Sequence, residues 1–150
     1  MMQKTIKIDI DDRNTFDIER FLWALRNLLA TDDNVKIENV EVYETKKGYH
    51  IYLHLKQEIP PLQCLIWQCL LGSDINRELF NYMRIKDGDK NWNVLFKRKW
   101  CNGYFSKEEK TENATKIENE IKNFLKEVKE LDDDLNILKG VGSNVALSRK

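Results

Sequence analysis

In this 150-residue chain, the spacing of two carboxylates and two histidines suggests that these side chains take part in chemistry. Asp9 and Asp11 are one residue apart in an alternating apolar segment, and His50 and His54 stand in a second such segment, over residues 48–55. Residues i and i+2 of a β-strand point to the same face of a sheet. If both segments are strands, the two acids share one face, and so do the two histidines.

Paired carboxylates at this spacing are suited to Mg²⁺ or Mn²⁺. Their Cα atoms lie about 7 Å apart in a strand, so their oxygens can converge on one ion or share two. Such ions stabilise the attacking and leaving oxygens in phosphoryl transfer. A third carboxylate usually completes the site, and the spacing leaves four candidates open: Glu41, Asp74, Asp87 and Asp89. The same spacing also occurs where acids merely solvate an exposed sheet face.

An imidazole next to the paired acids can hold a phosphate, transfer a proton or ligate a metal ion. We expect His50 to lie opposite Asp9 and Asp11 on the neighbouring strand, which makes these three the candidate catalytic residues. His54 lies four positions further along and is predicted to be a packed or solvated residue.

The elements that must position these groups follow from the periodicity of apolar residues. Alternation predicts four strands, over residues 5–11, 35–45, 49–56 and 92–99. Helical spacing and capping residues predict three helices, over residues 15–30, 60–72 and 74–85, with Ser73 or Asp74 as the cap of the third. The order βαββαβ predicts an α+β, ferredoxin-like (RRM-like) fold, an antiparallel sheet with helices on one face. Asp9, Asp11 and His50 would then lie together on the uncovered face.

The chain changes character after this predicted domain of residues 1–105. The segment Ser106-Lys107-Glu108-Glu109 matches a capping box, and a long amphipathic C-terminal helix is predicted over residues 106–139, followed by a flexible tail over 140–150. Its apolar residues between 114 and 138 follow steps of three and four, typical of a coiled-coil seam. The helix is therefore expected either to pack on its own domain or to form a homodimer.

The composition is that of an ordinary globular domain and excludes several classes of protein. Twenty-five basic and 25 acidic residues cancel, so net charge indicates neither nucleic acid nor a membrane as partner. No apolar run is long enough to cross a bilayer and no signal peptide is evident, which predicts an intracellular, cytoplasmic protein. Three cysteines without C-x-x-C spacing argue against a disulfide framework or a zinc ribbon.

Aromatic and basic residues also fall on the open face of the predicted sheet. Tyr43 and Tyr52 alternate onto it, and Lys97 and Lys99 do so if the last strand buries its apolar side. Aromatic rings stack on bases and cations bind phosphates, which is the composition that single-stranded nucleic acid needs. The pattern favours DNA or RNA as a partner.

The motifs together resemble the palm of archaeo-eukaryotic primases and primase-polymerases. Ile6-Lys7-Ile8-Asp9-Ile10-Asp11 resembles the family's first motif, and Gly48-Tyr49-His50 resembles the second, with Gly where Ser is common. The resemblance covers residues 5 to about 99. Members carry an αβ module before the first motif, whereas eight residues precede Asp9 here, so the resemblance implies a minimal, repurposed or inactive palm.

The resemblance implies a role for particular residues. Asp9 and Asp11 would bind Mg²⁺ or Mn²⁺ and His50 would contact a nucleotide phosphate. Asp74 best matches the family's further acid, and Arg77 and Arg84 would contact phosphates.

Three functions are consistent with these patterns. The first is metal-dependent chemistry on DNA or RNA, as a nucleotidyltransferase or nuclease, with a virus or plasmid as an expected source. The second is a non-catalytic module that binds single-stranded nucleic acid in a replication or mobile-element complex. The third is a rolling-circle endonuclease with Tyr82 as nucleophile; in such enzymes one residue separates the histidines, whereas three separate His50 and His54.

Overall fold

The structure is a computed structural model that describes the backbone of residues 1–96, 98–101 and 104–148. Side chains are described for these residues except 98–101, 104–106, 136 and 138–148. The strands are β1 (Gln3–Ile10), β2 (Ile37–Glu44), β3 (Tyr49–Ile59), β4 (Arg98–Cys101) and β5 (Tyr104–Lys107). The helices are α1 (Ile18–Thr31), α2 (Pro61–Leu70), α3 (Ile75–Lys86) and α4 (Glu112–Ser148).

Each of the first three helices begins where the sequence supplies a start signal. The Asp17 side chain accepts hydrogen bonds from two backbone N–H groups of the first turn of α1. Pro61 opens α2 at a position where no backbone donor is needed. Asp74 accepts from the backbone N–H of Arg77 at 3.1 Å and caps α3, one of the two caps that the sequence predicts.

Three antiparallel strands form the main sheet in the order β1-β3-β2. Asp9 pairs with His50 and Lys7 with Tyr52, so the predicted adjacency of the first and third strands is confirmed. The alternate residues Ile6, Ile8 and Ile10 are buried, as are Ile51, Leu53 and Leu55 of β3, and both rows belong to one core with α1 and α2. The predicted apolar face is therefore present.

The predicted fourth strand over residues 92–99 does not form. Residues 92–96 are not in a strand, and β4 pairs with β5 in a separate two-stranded sheet. In the described residues the architecture is α+β with a three-stranded antiparallel sheet, and the ferredoxin-like fold is not confirmed.

The outer edge of β1 has no room for a fourth strand because side chains already occupy its backbone groups. The Lys7 N–H donates to Gln68 Oε1 at 3.0 Å, and the Lys7 carbonyl accepts from Arg77 Nη1 at 2.9 Å. The Asp9 N–H donates to Ser73 Oγ at 3.0 Å. We call the residues that cover this edge, together with the acid that links them, the β1-edge cluster: Gln68, Ser73, Arg77, Glu78 and Asn93.

The buried Glu78 carboxylate connects the β1-edge cluster. It accepts from Gln68 Nε2 at 2.9 Å and Ser73 Oγ at 2.8 Å and pairs with the Arg77 guanidinium. Arg77 also donates to the carbonyl of Val94 at 2.8 Å, which holds the segment 92–94 beside β1 without a strand ladder. The fourth-strand position is thus filled by a chain segment held through side chains.

The outer edge of β2 is covered from the other end of the chain. Glu44 and Glu109 exchange two backbone hydrogen bonds of 2.8 Å each. The Val42 N–H donates to Glu118 Oε1 at 2.9 Å, and the Val42 carbonyl accepts from Lys110 Nζ at 2.7 Å. Lys122 Nζ lies 3.2 Å from the second oxygen of Glu118. We call these four residues the β2-edge cluster: Glu109, Lys110, Glu118 and Lys122.

The C-terminal helix differs from its predicted bounds at both ends. The proposed capping box is wrong, because residues 104–107 form β5 and Glu109 pairs with β2. The helix begins at Glu112 instead, after Thr111, whose side chain accepts from Ala114 N at 3.1 Å. It continues to Ser148, so residues 140–148 are helical rather than a flexible tail, and residues 149–150 lie outside the described part.

The first half of α4 packs on the domain, as one of the two expected arrangements requires. Ala114 and Ile121 are fully buried in the core. Despite its 37 residues, α4 is too polar to span a bilayer, and no other helix in the described part of the chain is long and apolar enough.

Candidate functional site

The imidazole of His50 lies between two carboxylates on the polar face of the sheet. Its Nδ1 atom is 2.8 Å from Glu108 Oε2, and its Nε2 atom is 3.5 Å from Asp9 Oδ1. The residue is 2% exposed. The polar face is therefore covered around His50 rather than open as the sequence predicts, and the three side chains form what we call the Asp9–His50–Glu108 array.

Glu108 is the site residue that the sequence analysis missed. It lies between β5 and α4, where the pairing of Glu109 with β2 places it over β3. Besides His50, it accepts a hydrogen bond from the Tyr52 hydroxyl at 2.7 Å. Burial, followed by the hydrogen bond to Glu108 and the charge of that carboxylate, raises the pKa of the Tyr52 phenol. The sequence offered no local signal, because a capping box explained this acid equally well.

Besides its pairing with β3, the backbone of Asp9 is held by Ser73 and Asp74, which lie between α2 and α3. Its N–H donates to Ser73, and its carbonyl accepts from the Asp74 N–H at 2.8 Å. Its side chain is 10% exposed. Asp74, the predicted third metal ligand, therefore contributes its main chain beside Asp9, while its carboxylate caps α3.

The end of β1 is closed by the turn between β2 and β3. A Cβ atom added at Gly48 would lie 1.7 Å from the Ile10 carbonyl oxygen and 3.3 Å from the carbonyl carbon of Asp11. Only glycine allows this approach. Asp11 directly follows the strand and is exposed to solvent, so the candidate site has one nearly buried and one exposed carboxylate at one end of β1.

The described side chains contain no group of three or more His, Cys, Asp or Glu arranged to hold a metal ion. A closed site made by protein ligands alone therefore does not fit them. Mg²⁺ commonly uses one or two carboxylates and completes its octahedral shell with water and substrate phosphates. A site of this second, open kind would need only Asp9 and Asp11 from the protein.

His54 lies outside the array on the same strand. Its Nδ1 atom is 3.2 Å from Thr5 Oγ1 and its Nε2 atom 3.2 Å from Glu41 Oε2. Its ring stacks on Tyr52 with centroids 6.4 Å apart. It is one third exposed. These contacts account for it as a packed residue, as the sequence predicts.

The predicted nucleic-acid contacts are dispersed in the structure. Tyr52 is buried, and Tyr43 is half-buried, with its ring against Tyr52 at 5.8 Å and Lys110 Nζ 5.0 Å from its centre. The guanidinium of Arg77 belongs to the β1-edge cluster, and Arg84 donates to the buried Asn81 of α3 at 3.0 Å. Lys97 and the side chain of Lys99 lie outside the described residues.

No protein-family model matches the chain, and neither do the curated proteins or the solved structures with which it was compared. The resemblance to a primase palm stays a prediction.

Proposed function

We propose that the protein acts on DNA or RNA by metal-dependent phosphoryl transfer at the end of β1. Asp9 and Asp11 would hold Mg²⁺ or Mn²⁺ there together with water and the phosphate of the substrate. The bound ion would stabilise the charge that develops on the transferred phosphoryl group. The observation that carries the proposal is the Asp9–His50–Glu108 array, in which the nearly buried carboxylate of Asp9 lies against a fixed imidazole.

His50 is better suited to position Asp9 than to contact a phosphate. Because a carboxylate only accepts hydrogen bonds, the Nδ1 atom donates to Glu108, and this fixes the orientation of the ring. The Nε2 atom then faces Asp9 at 3.5 Å, and it donates to that carboxylate when the ring carries a proton on both nitrogens. Groups that orient a ligand in this way commonly change metal affinity or activity by 10- to 100-fold when they are removed.

A module that binds single strands on the sheet face receives less support. That surface would need Tyr52 and Tyr43 as exposed stacking platforms. The first is buried under Glu108, and the second is partly covered by Lys110.

The proposal is tested with labelled single- and double-stranded DNA and RNA oligonucleotides, incubated with Mn²⁺ or Mg²⁺ and with or without nucleotides. Asp9→Asn and Asp11→Asn should each lower product formation by about 100-fold or more, since each removes a charged ligand. Asp33→Asn is the matched control, because Asp33 is exposed and far along the chain from the site. Activity that persists in both site variants, or no activity in the wild type on any substrate, contradicts the proposal.

The positioning role is tested separately with Glu108→Gln, which keeps the size of the side chain. We expect Mn²⁺ affinity, measured by calorimetric titration, to fall about 10-fold while Asp33→Asn leaves it unchanged. Loss of activity with unchanged Mn²⁺ affinity would contradict a role for Glu108 in orienting the metal-binding carboxylate.

A further inference from the structure

Two neighbouring helices expose a stripe of large apolar side chains. Ile66 and Leu70 lie four residues apart on α2, and Ile75, Leu79 and Met83 lie four apart on α3. Residues at this spacing share one side of a helix. With Phe80 they are between 52% and 69% exposed. We call these six residues the α2–α3 face.

The exposed apolar area of this face is on the order of 600 Å², at the upper end of what single-chain proteins expose. Patches of this size commonly mark an interaction site. Apolar residues scattered singly over a surface are ordinary, whereas a face of this size is expected to bind a partner that covers it.

A second apolar surface lies on the far half of α4. Leu131 and Leu135 are four residues apart and are 52% and 51% exposed, although the first half of the same helix is packed in the core. We call residues 126–137 the distal α4 segment. At the start of this segment Val128 is half-buried and lines a groove with Leu29 and Val35. Leu131 and Leu135, further along, present apolar surface to solvent.

The two surfaces differ in charge. The distal α4 segment carries five acidic residues against two lysines, a net charge of −3. Between their caps, α2 and α3 expose no acidic side chain, since Glu78 is 2% exposed. At the end of α3, the basic residues Arg84, Lys86 and Lys90 outnumber Asp87 and Asp89, which leaves a net charge of +1. An acidic amphipathic helix thus complements an apolar face with a weakly basic end.

We propose that the distal α4 segment of one copy binds the α2–α3 face of a second copy, and that the exchange is reciprocal. Both surfaces occur once in each chain, so a two-fold symmetric dimer covers all four. Two such contacts reach the range of about 1,200–2,000 Å² that stable interfaces bury. Pairing α4 with α4 is disfavoured, because it would bring two segments of −3 charge together.

The mass of the full-length protein in solution tests the proposal, measured by light scattering at concentrations up to about 100 µM, a range that covers ordinary micromolar affinities. Wild type should be a dimer. Leu131→Glu with Leu135→Glu disrupts the helix surface, and Leu79→Glu with Met83→Glu disrupts the face; each double variant should be a monomer. Met2→Glu is the matched control, since Met2 is 49% exposed and belongs to neither surface. Circular dichroism establishes that each variant is folded.

Mixing the two double variants distinguishes the reciprocal exchange from other dimers. One variant keeps an intact face and the other an intact helix, so the mixture should recover one contact and form a heterodimer, weaker than the wild-type dimer. If the two glutamates on α4 prevent folding, Leu131→Gln with Leu135→Gln replaces that variant. The same result is then expected on mixing. A monomeric wild type, a dimer insensitive to the α3 substitutions, or no recovery on mixing overturns the proposal.

Discussion

The two edges of the main sheet are both closed by side chains, but in different surroundings. At β1 the ion pair of Arg77 and Glu78 is almost fully buried, with side chains 9% and 1% exposed. At β2 the lysines that pair with Glu118 are 40% and 44% exposed. An unpaired edge strand is prone to pair with other chains. The first edge is thus protected by a buried polar network, and the second by a partly solvated one.

This difference predicts different responses to mutation and to solution conditions. Removing one member of a buried pair leaves a charge without compensation, which is costly at any salt concentration. A solvated pair contributes little and is screened by salt. The edge of β1 should therefore dominate stability, while the edge of β2 should respond to pH and ionic strength.

The largest expected effect is at Arg77. Arg77→Met leaves Glu78 buried without its charged partner and removes the hydrogen bond from Arg77 to the Lys7 carbonyl, so the free energy of unfolding should fall by about 3–5 kcal/mol in urea titrations. Adding Glu78→Gln to this variant should restore part of the loss, because the uncompensated charge disappears. A loss below about 1 kcal/mol in Arg77→Met would contradict the importance of the buried network.

A smaller effect is expected at Glu118. Burial alone raises the pKa of this carboxyl, but hydrogen bonds from Lys110, the Val42 N–H and Lys122 outweigh it and lower the pKa below its ordinary value of 4.5. Glu118→Gln should cost about 1–2 kcal/mol at neutral pH, because a charged acceptor becomes neutral.

The same lowered pKa fixes the direction of the pH dependence. A carboxyl whose pKa is lower in the folded state stabilises the protein above its unfolded pKa, and this contribution is lost as pH falls through the folded pKa. The stability difference between wild type and Glu118→Gln should therefore be constant above about pH 5 and shrink below pH 4.5. Denaturant titrations of both proteins from pH 3 to pH 7 measure it, and a gap that widens in acid would contradict this assignment.

The smallest effect is expected at Lys122, which is nearly half exposed and pairs with Glu118 across one helical turn. Lys122→Ala should change the free energy of unfolding by about 0.3–0.5 kcal/mol, and salt should diminish the change. Thermal unfolding at low and high salt measures it. A salt-independent loss comparable to that of Arg77→Met would remove the distinction between the two edges.

The parts of the fold that local patterns encode were predictable from the sequence. Alternation identified β1 and β3, and their adjacency placed His50 opposite Asp9. Ser73 and Asp74 were the two predicted caps of α3, and Asp74 is the one that caps it, through a contact confined to one helical turn. The strands depend on the repeat of two that every strand shares, and their adjacency follows from the order of the elements.

The errors concern contacts over long sequence distances. Trp92, Val94 and Phe96 alternate like a strand, yet Trp92 is fully buried and Phe96 is 60% exposed, so they do not share an environment. What prevents a fourth strand is the covering of β1 by side chains of α2 and α3, which leaves no periodic signal. Glu108 was assigned to a helix cap for the same reason, since its 58-residue separation from His50 is invisible in local spacing.

The long sequence separation between Glu108 and His50 also affects the order in which the parts of the molecule fold. Closing a long loop costs chain entropy before its contacts form, so native contacts between distant residues tend to appear late in folding. The hydrogen bonds of Glu108 to His50 and Tyr52 span 58 and 56 residues, whereas β2 and β3 meet across a short turn. The β2–β3 hairpin can therefore form first, before the imidazole of His50 is held by Glu108. Local opening of the segment before α4 would release the imidazole from Glu108 again.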